Sequence, residues 1–152
     1  MSESGMRGRI TQALRELDAV AVENPAYPGT PDVNFVEGWI ELKWLRNWPV
    51  RETSKVPVPH FTPQQRVWLR KRQAAGGNVF LLLQCKKEWL LFDGDTAAKS
   101  IDIATRAELI QRAKLYMPNG LVVEELISCL TANRRDTTSR SNSSISGAAN
   151  GC

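Results

Sequence analysis

The stretch 28-PGTPDVNFVEGWIELKW-44 sets Asp32, Glu41 and Lys43 into a segment that otherwise alternates as β-structure does. Asp32 to Val36 alternates polar and apolar residues, Glu37-Gly38 is a short turn signal, and Trp39 to Leu45 alternates again, which predicts a β-hairpin. With Glu37-Gly38 as a two-residue turn, Phe35 faces Ile40, Asn34 faces Glu41, Val33 faces Leu42 and Asp32 faces Lys43. Side chains change face at every residue of a strand. Val33, Phe35, Ile40 and Leu42 therefore form an apolar face suited to a core, while Asp32, Asn34, Glu41 and Lys43 share the other.

Two readings of that polar face stay open on pattern alone. Opposed residues have Cβ atoms about 5 Å apart and diagonal ones about 7–8 Å, so Asp32 and Glu41 can share one cation with Lys43 beside it. The same pattern also fits the solvated face of an amphipathic hairpin, with Lys43 pairing to Asp32.

Working outward, residues 3–18 carry Met6, Ile10, Ala13, Leu14 and Leu17 at helical spacing, with Glu3 on the same stripe in the first turn. Ala19 to Val22 reads as a short strand ending at Glu23, before the Pro/Gly-rich turn 24–31. Residues 46–61, RNWPVRETSKVPVPHF, have three prolines and no period, and read as a long surface loop offering Arg46, Arg51, Lys55 and His60.

The next helix has a clear start: Thr62 as N-cap, Pro63 at the first helical position and Gln65 completing a capping box, with an end near Gly76-Gly77. Val67, Trp68 and Ala75 are its expected inward residues. Arg66, Arg70, Lys71 and Arg72 give it a positive surface. The apolar run 78-NVFLLLQ-84 marks a strand covered on both faces, and 88-EWLLFD-93 a neighbour. Two short amphipathic helices are expected over 105–116 and 121–131, capping the sheet or supporting a dimer. From Thr131 the chain is rich in Ser, Asn and Gly, and is expected to be disordered, with Arg134, Arg135 and Arg140 giving it weak affinity for nucleic acid.

Composition narrows the class. The chain has 152 residues, 42% hydrophobic, which suits one domain over 1–130 with a tail over 131–152. Cys85, Cys129 and Cys152 are an odd set with no CxxC or Cys/His spacing, and there is a single histidine, which excludes a disulfide scaffold and an ordinary zinc site. They read as reduced thiols. No apolar run approaches bilayer length and the first residues lack a signal-peptide core, so a soluble, cytoplasmic protein with no membrane partner is expected. Net charge is +4, and the basic excess sits in residues 62–99, seven basic against three acidic. Such a patch suits a phosphate backbone.

Gly29-Thr30-Pro31-Asp32, then Glu41-Leu42-Lys43 after eight intervening residues, resembles the signature of the PD-(D/E)XK nuclease superfamily, in the form found in phage-type and VRR-NUC-like members. The order of an N-terminal helix, the hairpin, the Thr-Pro-Gln-Gln helix and an apolar strand extends the likeness over roughly Ser2 to Phe92.

That resemblance implies an α/β fold with a restriction-endonuclease-like core, a mixed sheet flanked by helices in the order α-β-β-β-α-β. It implies Mg²⁺, with Mn²⁺ substituting, held by Asp32, Glu41 and the Leu42 carbonyl. Lys43 would orient or deprotonate water or stabilise the phosphate, and an additional acid would come from Glu3 or, more weakly, Glu23. Gln65, or less surely Gln64, falls where family members place a glutamine near the phosphate or water. The implied activity is DNA endonuclease, on branched DNA in the manner of Holliday-junction-resolvase-like members, as a homodimer, with Arg66, Arg70, Lys71, Arg72 and Arg46 on the DNA. The alternatives are a catalytically degenerate DNA-binding module and a restriction-type or RNA-directed nuclease.

Overall fold

The computed structural model of the chain describes residues 3–133. The elements are α1 (Glu3–Ala13), a 3-10 turn (Arg15–Leu17), β1 (Val20–Ala21), β2 (Val33–Phe35), β3 (Gly38–Leu45), α2 (Pro63–Ala74), β4 (Val79–Cys85), β5 (Glu88–Asp93), α3 (Gly94–Ser100), α4 (Arg106–Arg112), β6 (Leu115–Met117) and α5 (Val123–Leu130). The strands form one six-stranded sheet in chain order. β3 and β4 are parallel, with α2 in the crossover that parallel neighbours require, and the other neighbours are antiparallel. The class is α/β, a mixed sheet flanked by helices, and α1 to β4 follow the expected α-β-β-β-α-β succession.

Each face of the sheet has its own core. Met6 and Ile10 of α1, Leu14 just after it, and Leu126 and Leu130 of α5 pack on Val33, Phe35, Ile40, Leu42, Phe80 and Leu82. On the other face, Leu69 of α2, Ala97 of α3, Leu109 of α4 and Val56, Val58 and Phe61 of the long loop cover Leu45, Val79, Leu81, Leu83 and Phe92. Every residue of β4 is buried, as its unbroken apolar run predicts.

The hairpin forms with a different register. Phe35 pairs with Gly38, Asn34 with Trp39 and Val33 with Ile40, so the turn is Val36-Glu37 and the pairing is two residues from the expected one. A tertiary contact decides this: a Cβ on Gly38 would lie 1.9 Å from the Asn78 carbonyl oxygen, so the glycine serves the crossing with the start of β4 rather than the turn. An even shift leaves every side chain on its predicted face.

Other departures are local. The helix expected over 105–116 stops at Arg112, and Leu115–Met117 pairs with β5 as β6, the open edge of β5 overriding the helical pattern. α3 has no expected counterpart, because its small residues make no apolar stripe; Asp93 caps it by accepting the Thr96 N–H. In α2 the inward residue is Leu69, while Val67 and Ala75 are exposed, because the helix lies on α3 as well as on the sheet. Cys85 is a free buried thiol, as expected, Cys129 is buried in the α1-side core, and Cys152 lies outside the described residues. Of the segment expected to be disordered, Thr131 is buried and bonds the Ile127 carbonyl, and residues 134–152 lie outside the described residues. Among the described residues no helix is long and apolar enough to cross a membrane.

Candidate active site

Asp32 leaves β2 pinned on two sides. Its carbonyl accepts the Val22 N–H at 2.8 Å, and its Oδ2 accepts the Leu42 N–H at 2.9 Å. Continued past the end of β2, the observed register puts Asp32 opposite Glu41 and Pro31 opposite Leu42. Proline has no N–H to offer the Leu42 carbonyl, which leaves that oxygen and the Asp32 carboxylate on the same open edge of β3. Gly29, at φ 93°, sets the preceding turn against α2: a Cβ there would lie 2.6 Å from the Gln64 carbonyl oxygen.

Glu41 and Lys43 point to the α2 side of the sheet and are 1% and 2% exposed. That excludes the solvated-face reading. Lys43 Nζ lies 3.3 Å from Glu41 Oε1 and donates to the His60 carbonyl at 3.0 Å. His60 adopts a left-handed backbone, φ 64°, and its side chain is exposed. Glu41 Oε2 is buried with no hydrogen-bond donor on it. Burial first, then the neighbouring negative charge of Asp32, push the Glu41 carboxyl up to about 8, and Lys43 only partly offsets them. An orphaned buried oxygen beside a second carboxylate and an open carbonyl is a donor set that suits a hard dication.

Among the described residues no group of three or more His, Cys, Asp or Glu that could hold a metal ion stands together; the oxygens brought near one another here are those of Asp32, Glu41 and the Leu42 carbonyl. The side chain of Glu3 lies outside the described residues. What α1 brings to the site is Arg7, whose Nη2 donates to Asp32 Oδ1 at 2.9 Å and whose Nη1 donates to Glu23 Oε1 at 3.2 Å. Glu23 is thus tied to the site through Arg7, with a side chain 84% exposed. Gln65 forms the predicted capping box, its Oε1 accepting the Thr62 N–H at 3.0 Å.

The predicted basic residues divide. Arg66 is engaged in the scaffold: it bonds the carbonyls of Ala98 and Ile101 and the Asp102 carboxylate, and lies 4.3 Å from the Phe61 ring. Arg70 and Lys71 are exposed, and Arg72, also exposed, stacks 4.5 Å over Trp68. Lys71 borders a groove of about 400 Å³ lined by Pro28, Pro63, Gln64, Val67 and Trp68, next to the Gly29 contact. Arg46 is exposed just beyond the end of β3. Trp48 donates to Glu88 at 2.6 Å, in a cluster where Arg106 and Tyr116 bond the same carboxylate. Trp44 packs against the α1 core.

Arg7 and the His60 carbonyl are the site members that the sequence reading omitted. Arg7 was visible in principle, one helical turn after Glu3 on α1; a backbone carbonyl leaves no mark in a residue pattern. No family model matches the chain, and no curated protein matches it.

Proposed function

We propose that the chain is a small metal-dependent nuclease with a restriction-endonuclease-like core, hydrolysing phosphodiester bonds in DNA. The observation that carries this reading is the juxtaposition of half-buried Asp32 with the buried Lys43 and Glu41, whose Oε2 is unpartnered, on the α2 face of the sheet where the β2–β3 pairing ends. Asp32, Glu41 and the Leu42 carbonyl would hold Mg²⁺ or Mn²⁺, which when bound supplies Lewis-acid neutralisation of phosphate charge and makes water more acidic.

The chain's own groups do the rest. Lys43, oriented by Glu41 and the His60 carbonyl, brings a hydrogen-bond donor to oxygen on which negative charge develops. The first turn of α2, at Gln64 and Gln65, borders the Gly29 turn that precedes Asp32, and Arg70, Lys71 and Arg72 carry a positive surface on which a phosphate backbone is held without regard to sequence. Branched DNA is the preferred substrate, and a homodimer the active form, since paired cuts on a branch require two sites.

The test is a cleavage panel of linear duplex, four-way junction and RNA, with Mg²⁺, Mn²⁺ or chelator, using the parent, Asp32→Asn and Glu41→Gln. Metal-dependent cutting of DNA, fastest on the junction and lost in both variants, supports the reading. DNA binding without cleavage would leave a binding module, cleavage confined to RNA would overturn the substrate class, and a monomer cutting duplex and junction equally well would remove branch preference and dimer together.

A further inference from the structure

Arg7 stands where a cation-binding site has least apparent need of it, with its guanidinium on a carboxylate of the donor pair. Its two side-chain bonds, to Glu23 and Asp32, run from separate Nη atoms, and the side chain is 31% exposed. A guanidinium carries five N–H donors in a planar fork. Two anchored donors fix the plane and leave the others on an edge open to solvent.

Charge gives that edge a purpose. With a dication on Asp32 and Glu41, the cluster holds three carboxylates (Asp32, Glu41 and Glu23) against two side-chain cations (Lys43 and Arg7) and the metal, an excess of one positive charge. One phosphodiester neutralises it. Without Arg7 the loaded cluster is neutral and attracts no anion. Lys43 is buried at 2% exposure, so Arg7 is the side-chain cation of the cluster whose charge reaches solvent beside Asp32.

We propose that Arg7 is a substrate-contacting residue: held in plane by Asp32 and Glu23, it grips a non-bridging oxygen of the phosphate brought to the Asp32–Glu41 edge. This rests on the nuclease reading and adds to it a recognition group supplied by α1. Glu23 is the positioning residue, orienting the fork from the exposed side.

The experiment compares Arg7→Ala, Arg7→Lys and Glu23→Gln with the parent by three measurements. These are cleavage kinetics with Mg²⁺, Mn²⁺ binding by calorimetry, and the salt dependence of binding to a short DNA duplex in Ca²⁺, a hard dication that takes oxygen ligands. Arg7→Ala is expected to lower kcat by about 10²-fold or more, to reduce the slope of log K against log salt by about one, and to bind Mn²⁺ as tightly as the parent or tighter. Arg7→Lys keeps the slope and recovers only part of kcat, since it has charge without the fork. Glu23→Gln lowers kcat less than Arg7→Ala and leaves the slope unchanged. An unchanged slope in Arg7→Ala overturns the proposal, as does a collapse of its Mn²⁺ binding or melting temperature, which would make Arg7 a scaffold residue. If the parent binds duplex but cuts nothing, the nuclease reading fails and the slope alone decides Arg7. If the parent binds no DNA, both fall.

Discussion

Lys43 Nζ and Glu41 Oε1 stand 3.3 Å apart with side chains 3% and 2% exposed. A pair so buried cannot be treated as an exposed hairpin ion pair, for which about 0–1 kcal/mol is usual. Above about pH 8, where Glu41 is ionised, breaking a buried pair from one side costs about 3–5 kcal/mol, so Lys43→Ala should lower the metal-free melting temperature clearly there, and Lys43→Met, which fills the space, should lower it less. Glu41→Gln should melt above the metal-free parent at neutral pH, because the amide resembles the protonated carboxyl without requiring proton uptake on folding, yet bind no Mn²⁺ by calorimetry. Parent-like Mn²⁺ binding in Glu41→Gln would remove Glu41 from the donor set.

The Glu41 carboxyl rises from 4.5 to about 8 on folding. Between those values the folded, metal-free protein binds a proton that the unfolded chain has released, so this contribution to stability is complete below about 4.5 and is lost as pH rises through about 8. Melting temperature without metal should therefore fall across that window, and Glu41→Gln should flatten the fall. Because a cation displaces the proton, apparent Mg²⁺ affinity should rise about tenfold per pH unit up to about 8. Titrations at several pH values, with the proton release measured, check both.

Gly29→Ala tests how the Asp32 turn is seated. At φ 93° and 2.6 Å from the Gln64 carbonyl oxygen, an added Cβ meets both strain and backbone. The expected cost is about 1–3 kcal/mol, with weaker Mn²⁺ binding as the turn lifts from α2. Unchanged melting and Mn²⁺ binding would show that the contact positions nothing.

The basic residues of α2 should separate into two kinds. Replacing Arg70, Lys71 and Arg72 together with Gln should weaken binding to all DNA sequences alike and flatten its salt dependence, leaving the fold intact. Arg66→Ala should instead lower stability, since it cuts the bonds to Ala98, Ile101 and Asp102 that tie α2 to the end of α3. Thermal melting and fluorescence anisotropy on both variants distinguish them, and an unchanged salt slope in the triple variant would put the DNA elsewhere.

What was legible in the sequence was what depends on period and local chemistry. Alternation put Asp32, Glu41 and Lys43 on one face, and the Thr62-Gln65 box placed the start of α2. The hairpin register was not legible, because the Gly38 that reads as a turn residue answers to Asn78, distant in sequence. Nor was the burial of the polar face, which depends on α2 and the loop 46–61 folding over it. β6 was hidden because three residues beside an open sheet edge carry no strand period of their own, and Arg66 read as surface because its partners lie more than thirty residues away.

Asp32 and Glu41 take their positions from different frames. Glu41 and Lys43 are indexed by the seven-residue ladder between β3 and β4, deep in the sheet, whereas Asp32 is indexed by the three pairs of β2 and the length of the Val36-Glu37 turn. One residue added to that turn would leave the interior of the sheet standing and carry Asp32 to the far side from Glu41; two would return it to the same side, one step along. The distance between the carboxylates is thus a quantity with only every second value usable. Its parity is set by the pleat of the backbone, so turn length in such a chain can drift by even steps while odd ones dismantle the donor set.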